Sequence, residues 1–565
     1  MKHLFICISL VFAIQSCTQP TEYKVKAIIP TPLQQENFKE KPFALNAKTI
    51  ISYSDLSLEP VAKLLASDIY KQTGLSLRIE ASSKSKNSIL LEFCVNDSLF
   101  DSLPDTYGLT AKEDCHINER YLVNIHSKHV QVIASSAEGV FRGTTTLRHL
   151  IGVSDGADKI YLPAMQIKDT PLYAWRGLSF DVSRSFYEVD EVKQVIDMLT
   201  FYKMNVLHLH LSDNQGWRIE IKKYPKLNEI GSYVPNANRK GGYYTQEQYK
   251  ELVEYAAERF ITIVPELDLP GHTAAVFASY PEFKNAAKLG FDFNMAGQAV
   301  SCLDPDDDKT MQFVKDVLTE LVAITPGSYI HIGGDETFGM KDEKYIRFIN
   351  KVRPMVLALG KKMVGWQEIT RADIGEGDIF QNWIYFNRKQ ESSVDFDQIA
   401  NLPKEMVKMI ISTFAEAPKD IPRGIAKNAK ILLSPNSFLY LDHPYAEFST
   451  DSTQTVEREK LGMTAYPRQT IEEMYNWNPT ILYPEIDWKQ HIAGIEGAIW
   501  CETTENFSGL QFLLLPRLAG VSEKAWSQPE KNNNWEEFKI RLSYQSPHWQ
   551  NTNWNYFKSS LVDWK

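Results

Sequence analysis

Tyr329-Ile330-His331-Ile332-Gly333-Gly334-Asp335-Glu336-Thr337 reads as a short buried strand, a sharp backbone exit and then two adjacent carboxylates. The two glycines allow backbone conformations closed to other residues, so the acids are presented at the strand's carboxyl end. In a parallel β/α protein that is where the chemistry is kept. Two acids side by side in a mostly apolar setting resist simultaneous ionisation, so one holds a proton near neutral pH and can act as a general acid. Taken alone the stretch also fits a surface turn or a helix start, because Asp-Glu pairs are common. The rest of the chain decides between these readings.

Outward from this stretch the same rhythm repeats. Apolar strands are expected at Leu178–Val182, Val206–Leu211, Ile261–Val264, Tyr329–Ile332, Lys362–Trp366, Ile379–Trp383, Lys430–Leu433 and Ala493–Trp500. Amphipathic helices are expected between them, at Glu188–Tyr202, Thr245–Arg259, Lys309–Ile324 and Lys341–Leu359. Eight such units predict a (β/α)₈ barrel over residues 171–565, with its site at the carboxyl ends of the strands. Residues 385–428 fit the count poorly. Met406–Phe414 is apolar enough for a strand there, and the region reads as an unplaced insertion.

Asp169-Thr170-Pro171 marks a linker. Before it, residues 27–168 read as a small α/β domain, with strands at Ile50–Tyr53, Leu75–Ile79, Ser88–Phe93, Tyr121–Ile125 and His129–Ala134, and helices at Pro60–Thr73 and Ala137–His149. This domain carries no cluster of chemically active residues and reads as an accessory module. At the start of the chain, Lys2 and His3 precede an apolar run from Leu4 to Ile14 and then Gln15-Ser16-Cys17. The run is too short to span a bilayer and reads as a secretory signal. It resembles a bacterial lipoprotein signal spanning residues 1–17, in which Cys17 becomes the lipidated first residue. The expectation is an exported, outer-membrane lipoprotein facing the periplasm or the cell surface, touching membrane only through that anchor.

The chain has 565 residues, 43% hydrophobic and 12% aromatic, with 12 tryptophans and 26 tyrosines. That is an ordinary core enriched in the side chains that stack on sugar rings. A net charge of −10 with no long basic run argues against nucleic acid as a partner. Of the cysteines outside the signal, Cys94, Cys115, Cys302 and Cys501, none forms a close metal-ligand pair, so no metal and no other cofactor is expected. A Cys94–Cys115 disulfide is compatible with export, but free thiols fit a chain this long better.

Several strand ends carry polar or aromatic groups. Strand one has Arg176 at its entrance and Asp181 near its end. Strand two runs into His210-Leu211-Ser212-Asp213-Asn214-Gln215-Gly216-Trp217-Arg218, and strand three into Pro265-Glu266-Leu267-Asp268-Leu269-Pro270-Gly271-His272-Thr273. Later come Gly365-Trp366-Gln367-Glu368, Gln381-Asn382-Trp383, Tyr440-Leu441-Asp442 and Trp500-Cys501-Glu502. Each has a dull explanation singly, as core or turn. Jointly they describe a pocket that stacks on a pyranose ring and hydrogen-bonds its hydroxyls.

These stretches, together with Arg176-Gly177-Leu178, Asp181-Val182-Ser183-Arg184 and His208 to Arg218, resemble the β-N-acetylhexosaminidases of glycoside hydrolase family 20. The resemblance covers nearly the whole mature chain, including the small α/β domain before the barrel. It implies an exo-acting enzyme that releases terminal β-linked GlcNAc or GalNAc from glycans with retention, using the substrate's own 2-acetamido group as nucleophile. Carried over residue by residue, Glu336 is the general acid/base and Asp335 holds the acetamido group. Tyr440 donates to the acetamido oxygen, while Asp213 and His272 tune Glu336 from behind. Arg176 and Glu502 bind ring hydroxyls, with Asp442 as a further contact, and Trp366, Trp383 and Trp500 wall the pocket. The roles of Asp442 and Asn214 are the least constrained by the resemblance.

Two other readings compete. A catalytically silent carbohydrate-binding lipoprotein on the same scaffold is expected to have lost Asp335, Glu336 or Tyr440, and all three are present. A metal-dependent barrel hydrolase needs convergent ligands. His208 and His210 share one face of a strand, which is more often packing than a metal site.

Overall fold

The computed structural model describes residues 27–81, 86–109, 118–154, 156–233, 241–283, 294–295, 298–299, 302–385 and 404–565. The signal stretch with Cys17, and Cys115, lie outside the described residues, as do residues 386–403 of the expected insertion. Cys302 and Cys501 are free thiols.

The first domain is a seven-stranded mixed sheet in the order Gln34–Asn37, Met165–Asp169, Tyr121–Ile125, His129–Ala134, Ser88–Phe93, Ile50–Tyr53 and Arg78–Ala81. The alternating burial of His129–Ala134 is what a strand with one covered face requires. The expected strand at Leu75–Ile79 forms instead at Arg78–Ala81. Leu75 and Leu77 are buried in the same core without joining the sheet. The polar strand Gln34–Asn37 gave no apolar signal because all four of its residues are exposed on the sheet's edge. Helix Ala137–Ile151 is buried on almost every side, since it lies between this sheet and the barrel. Its Arg142 reaches the Phe260 carbonyl, and its His149 stacks on Phe201 at 4.1 Å.

From Trp175 eight parallel strands close into a barrel: Trp175–Asp181, Val206–His210, Thr262–Glu266, Tyr329–His331, Lys362–Trp366, Ile379–Asn382, Lys430–Leu433 and Ile492–Ile499. Strand one pairs with strand eight from Trp175↔Gly494 to Phe180↔Ile499, which completes the ring. The strands are buried on both faces, as parallel strands under a helical coat must be. Capping boxes start two of the coat helices: Glu188 with Glu191 for Val189–Phe201, and Thr245 with Gln248 for Gln246–Ala257.

The expected strand at Met406–Phe414 is incorrect. Lys404–Ala426 is one helix, lying between barrel strands six and seven. It contains Pro418 and Pro422, which make its sequence read as interrupted. Its fully buried Asp420 pairs with Arg371 and Arg423, docking the helix on the turn after strand five. The described end of the supposed insertion is therefore part of the barrel itself.

Candidate active site

At the mouth of strand four the backbone does what Gly333-Gly334 permits, with φ of +66° and +99°. A Cβ on Gly333 would lie 1.9 Å from Asp268 Oδ1, so the third strand's loop closes tightly over this exit. Asp268 Oδ1 accepts from the Gly334 amide at 3.0 Å, and His331 Nδ1 accepts from the Gly333 amide at 3.0 Å. Glu336 then adopts φ +44° and faces His272, whose φ is +48°. Two non-glycine residues in the left-handed region, in mutual contact, are backbone strain held where chemistry needs position.

His272 Nε2 lies 3.6 Å from Glu336, 3.9 Å from Asp335 and 4.0 Å from Asp268. Its Nδ1 is 3.2 Å from Asp213 Oδ1. Burial alone would strip its proton, but Asp213, Asp268 and Asp335 outweigh burial and hold its proton affinity well above the usual imidazole range. Asp213 in turn is bound by Arg184 at 2.7 Å and His210 at 3.0 Å. Against the opposing effect of burial, Arg184 and His272 keep this carboxyl well below its ordinary range. Asp335 goes the other way. Burial, then the neighbouring Asp268, pushes its carboxyl well above the usual range despite His272, with Glu336 and Glu368 adding to the effect. The result is an ionised Asp213, a charged His272 and a proton-retaining Asp335 around one point.

Aromatic side chains from the last four strand ends form one cluster. Trp366, Trp383, Tyr440 and Trp500 pack together with Tyr466. Tyr440 lies parallel to Trp383 at 6.4 Å between ring centroids, and Trp500 stands across it at 5.8 Å. Two of the indoles are aimed by their N–H: Trp366 donates to Glu266 at 2.9 Å, and Trp383 to Glu368 at 3.2 Å. Asp442 is buried, and neither of its carboxylate oxygens has a side-chain partner. Burial, then Glu502, raises its proton affinity well above normal. Unpartnered buried acceptors beside an aromatic wall are suited to sugar hydroxyls.

The comparisons with known proteins agree with this geometry. Residues 173–529 match the glycosyl hydrolase family 20 catalytic domain, and residues 25–170 match domain 2 of the same family. This chain belongs to glycosyl hydrolase family 20. It is 32% identical to the β-N-acetylhexosaminidase of Cellulomonas fimi, over 95% of this chain and 97% of that one. It is 30% identical to a β-hexosaminidase of Porphyromonas gingivalis, over 95% of this chain and 66% of that one. Among solved structures it resembles the β-N-acetylhexosaminidase of Streptomyces coelicolor at a TM-score of 0.79 and 32% identity, covering 96% and 99% of the two chains. A variant of the Streptomyces plicatus enzyme, solved with GlcNAc as product, matches at 0.79 and 32%, covering 96% and 98%.

In this family 20 chain the structure brings together all but one of the residues expected at the sugar site. The exception is Arg176. It sits at the amino end of strand one, buried, with its guanidinium on Glu119 at 2.6 Å and on the carbonyls of Tyr173 and Lys203. That end faces the first domain, so Arg176 cannot reach a sugar. The arginine at the site is Arg184, just past the carboxyl end of the same strand. Asp181 shapes the turn by accepting the amides of Ser183 and Arg184 at 2.8 and 3.0 Å. Arg184 lies over the Trp500 ring at 4.9 Å and faces Glu502 at 3.8 Å. The rule that barrel chemistry sits at carboxyl ends would have chosen it over Arg176. Tyr466 carried no sequence signal, while Glu266 and Glu368 stood inside strand-end stretches without a role of their own. Asn214 accepts from the Ala274 amide at 3.1 Å and so supports the loop bearing His272.

Among the described residues, four groups of histidines and carboxylates lie close enough to hold an ion: His208, Glu266 and His331; His210, Glu266 and Asp268; Asp213, Asp268 and His272; and His272, Asp335 and Glu336. The ring nitrogens of His208 and His210 all lie within ion-pair distance of carboxylates. Those rings therefore act as charged donors, which is the opposite of what a metal ligand requires.

Proposed function

We propose that this chain is an exo-acting, retaining β-N-acetylhexosaminidase that removes terminal β-linked GlcNAc or GalNAc by substrate-assisted catalysis. The observation that carries this is the placement of Asp335 and Glu336 on one strained turn beneath an aromatic wall. Adjacent carboxyls on one turn cannot straddle a sugar ring, so a two-carboxylate double displacement lacks its second partner. The substrate must supply the nucleophile.

Glu336 protonates the glycosidic oxygen as the bond to the anomeric carbon breaks, and the acetamido carbonyl oxygen bonds to that carbon from the opposite face. Asp335, whose Oδ1 is buried without a hydrogen-bond partner, accepts a hydrogen bond from the acetamido N–H as the nitrogen becomes acidic. Tyr440 donates to the acetamido oxygen and fixes its line of approach. Water then opens the cyclic intermediate at the anomeric carbon and loses its proton to the Glu336 carboxylate, and two inversions give net retention. Arg184, Glu502 and Asp442 bind hydroxyls, and Trp366, Trp383 and Trp500 enclose the ring.

The test compares matched aryl β-glycosides with and without the 2-acetamido group. The glucoside is expected to be slower by roughly a thousandfold or more, because an oriented intramolecular nucleophile is lost. A stable thiazoline mimic of the cyclised intermediate is expected to inhibit strongly. Comparable rates on both substrates, or a sugar trapped covalently on a carboxylate of this chain, would overturn the mechanism.

We further propose that the chain is exported and anchored by lipid on Cys17, which the basic start, short apolar run and cysteine of residues 1–17 support. Cys17→Ala is expected to move the protein from the membrane to the soluble fraction at unchanged specific activity. Unchanged membrane partitioning counts against the anchor.

A further inference from the structure

The contacts behind His272 continue. Below Asp213, a series of ion pairs between acid and imidazole groups runs down the inside of the barrel. Glu496 Oε1 meets His208 Nδ1 at 2.8 Å, and His208 Nε2 meets Glu266 Oε2 at 2.9 Å. The same Glu266 oxygen meets His210 Nδ1 at 2.5 Å, and His210 Nε2 meets Asp213 Oδ2 at 3.0 Å. Asp213 Oδ1 then meets His272 at 3.2 Å, and His272 faces Glu336 at 3.6 Å. Glu496, His208, Glu266, His210 and Asp213 are at most 1% exposed. These residues come from strands two, three and eight, so only barrel closure assembles them.

A chain of this kind is not needed to pack a barrel, because buried ionic groups are commonly replaceable by apolar ones at no loss of stability. Its order is what matters: acid and base alternate at every link, and its end touches the group read as the general acid/base. We infer that Glu266 and His210 are positioning residues for Glu336, acting through Asp213 and His272 to set the charge that Glu336 faces during proton transfer. This rests on the reading of Glu336 as the general acid/base.

The charges around the chain define the sign. His210 faces Glu266, Asp213 and Asp268, with Arg184 beside it at 3.4 Å and His208 beyond Glu266. Glu266 is also faced by His331 and receives the Trp366 N–H. Glu336 is faced by His272 and Asp335, with Tyr440 and Tyr466 nearby. Burial by itself would discharge the rings, but Glu266 and Glu496 raise His208 to about 9, and Glu266 and Asp213 hold His210 well above its ordinary range. Neutralising Glu266 releases the proton from His210. That removes a positive and a negative charge together, and along the series of contacts His210 stands one link closer to Glu336 than Glu266 does. The potential at Glu336 becomes more negative. The basic limb of kcat/KM, where the general acid is lost, moves upward.

The experiment uses the full chain with ¹⁵N-labelled histidine, each ring assigned by the loss of its signal in the corresponding His→Gln variant. In the unmodified protein at pH 7.5, His208 and His210 are expected as doubly protonated imidazolium. In Glu266→Gln, His210 is expected to turn neutral near pH 7 and the basic limb to rise by roughly half a pH unit, the scale of a charge-pair change a few links away. Binding of free GlcNAc is expected to stay within about twofold. A neutral His210 in the unmodified protein overturns the inference whether or not any variant folds. So does a folded Glu266→Gln whose basic limb is unmoved. If Glu266→Gln does not fold, Glu496→Gln is expected to discharge His208 and move the same limb in the same direction by less, and an unmoved limb there overturns the inference. None of these ring titrations depends on turnover, so their failure is distinct from failure of the acetamido comparison.

Discussion

Arg184 and Arg176 stand on either end of one strand and do different work with the same side chain. Arg184 holds Asp213 at 2.7 Å and faces Asp181 at 3.5 Å and Glu502 at 3.8 Å, all at the candidate site. Its planar fork meets several acceptors at once, which an ammonium cannot reproduce. Arg184→Lys is therefore expected to lower kcat/KM by roughly tenfold to a hundredfold, the scale of one or two charged hydrogen bonds, with little change in melting temperature. Arg176 meets Glu119, whose carboxyl is held down to about 2 because Arg176 and Arg142 outweigh burial. Arg176→Met leaves that buried carboxylate short of a partner and is expected to cost about 3–5 kcal/mol of stability, with KM unchanged in the folded fraction. Denaturant unfolding and steady-state kinetics on both variants check the assignment. A raised KM in Arg176→Met at unchanged stability would return it to the sugar site.

At the scale of the element, the exit of strand four shows how much a short segment owes to its neighbours. Tyr329–His331 is a three-residue strand, and what makes it productive is the left-handed pair of glycines after it, closed over by Asp268 from the adjacent strand's loop. Gly333→Ala adds the strain of a left-handed alanine, ~1–2 kcal/mol, to an overlap with Asp268 that costs ~1–3 kcal/mol to relieve. It is expected to lose about 2–5 kcal/mol of stability and most activity together, because relieving the overlap moves Asp335, Glu336 and the loop leading to His272. Gly360→Ala is the control. Gly360 has φ +76° but open space around its Cβ position, so only the backbone strain of ~1–2 kcal/mol is expected there, with activity kept. Urea unfolding and kcat/KM measured on the pair separate backbone strain from displacement of the site; an equal loss of activity in both variants would show that displacement is not the cause.

At the scale of the whole molecule, the first domain is joined to the barrel by buried charge as well as by apolar packing. Lys203, at the start of the loop into strand two, is fully buried and donates to Tyr121 at 2.7 Å and Asp169 at 3.2 Å, with the Trp526 ring 4.5 Å away. Trp526 itself is counted in the first domain's core. With the Glu119 cluster, these contacts lie at the amino ends of the barrel strands, opposite the candidate site. The accessory domain therefore braces the face of the barrel that does no chemistry, which accords with its lack of an active cluster.

The sequence by itself determined the eight-unit barrel, the small α/β domain before it, and the grouping of Asp335, Glu336, Tyr440 and the tryptophans at strand ends. Those features rest on local periodicity and on short stretches whose meaning travels with them. It also placed Asp213 and His272 behind Glu336, though only through resemblance. Lys404–Ala426 was misread because two internal prolines break the pattern on which a helix is recognised. That Arg184 and not Arg176 lies at the candidate site is legible only in the folded barrel, because it depends on which end of the barrel each residue faces. Only closure of the ring joined Glu496, His208, Glu266 and His210 to the site. Those residues are up to 288 positions apart in the chain, and a hydrogen bond between residues so distant leaves no trace in the spacing of either.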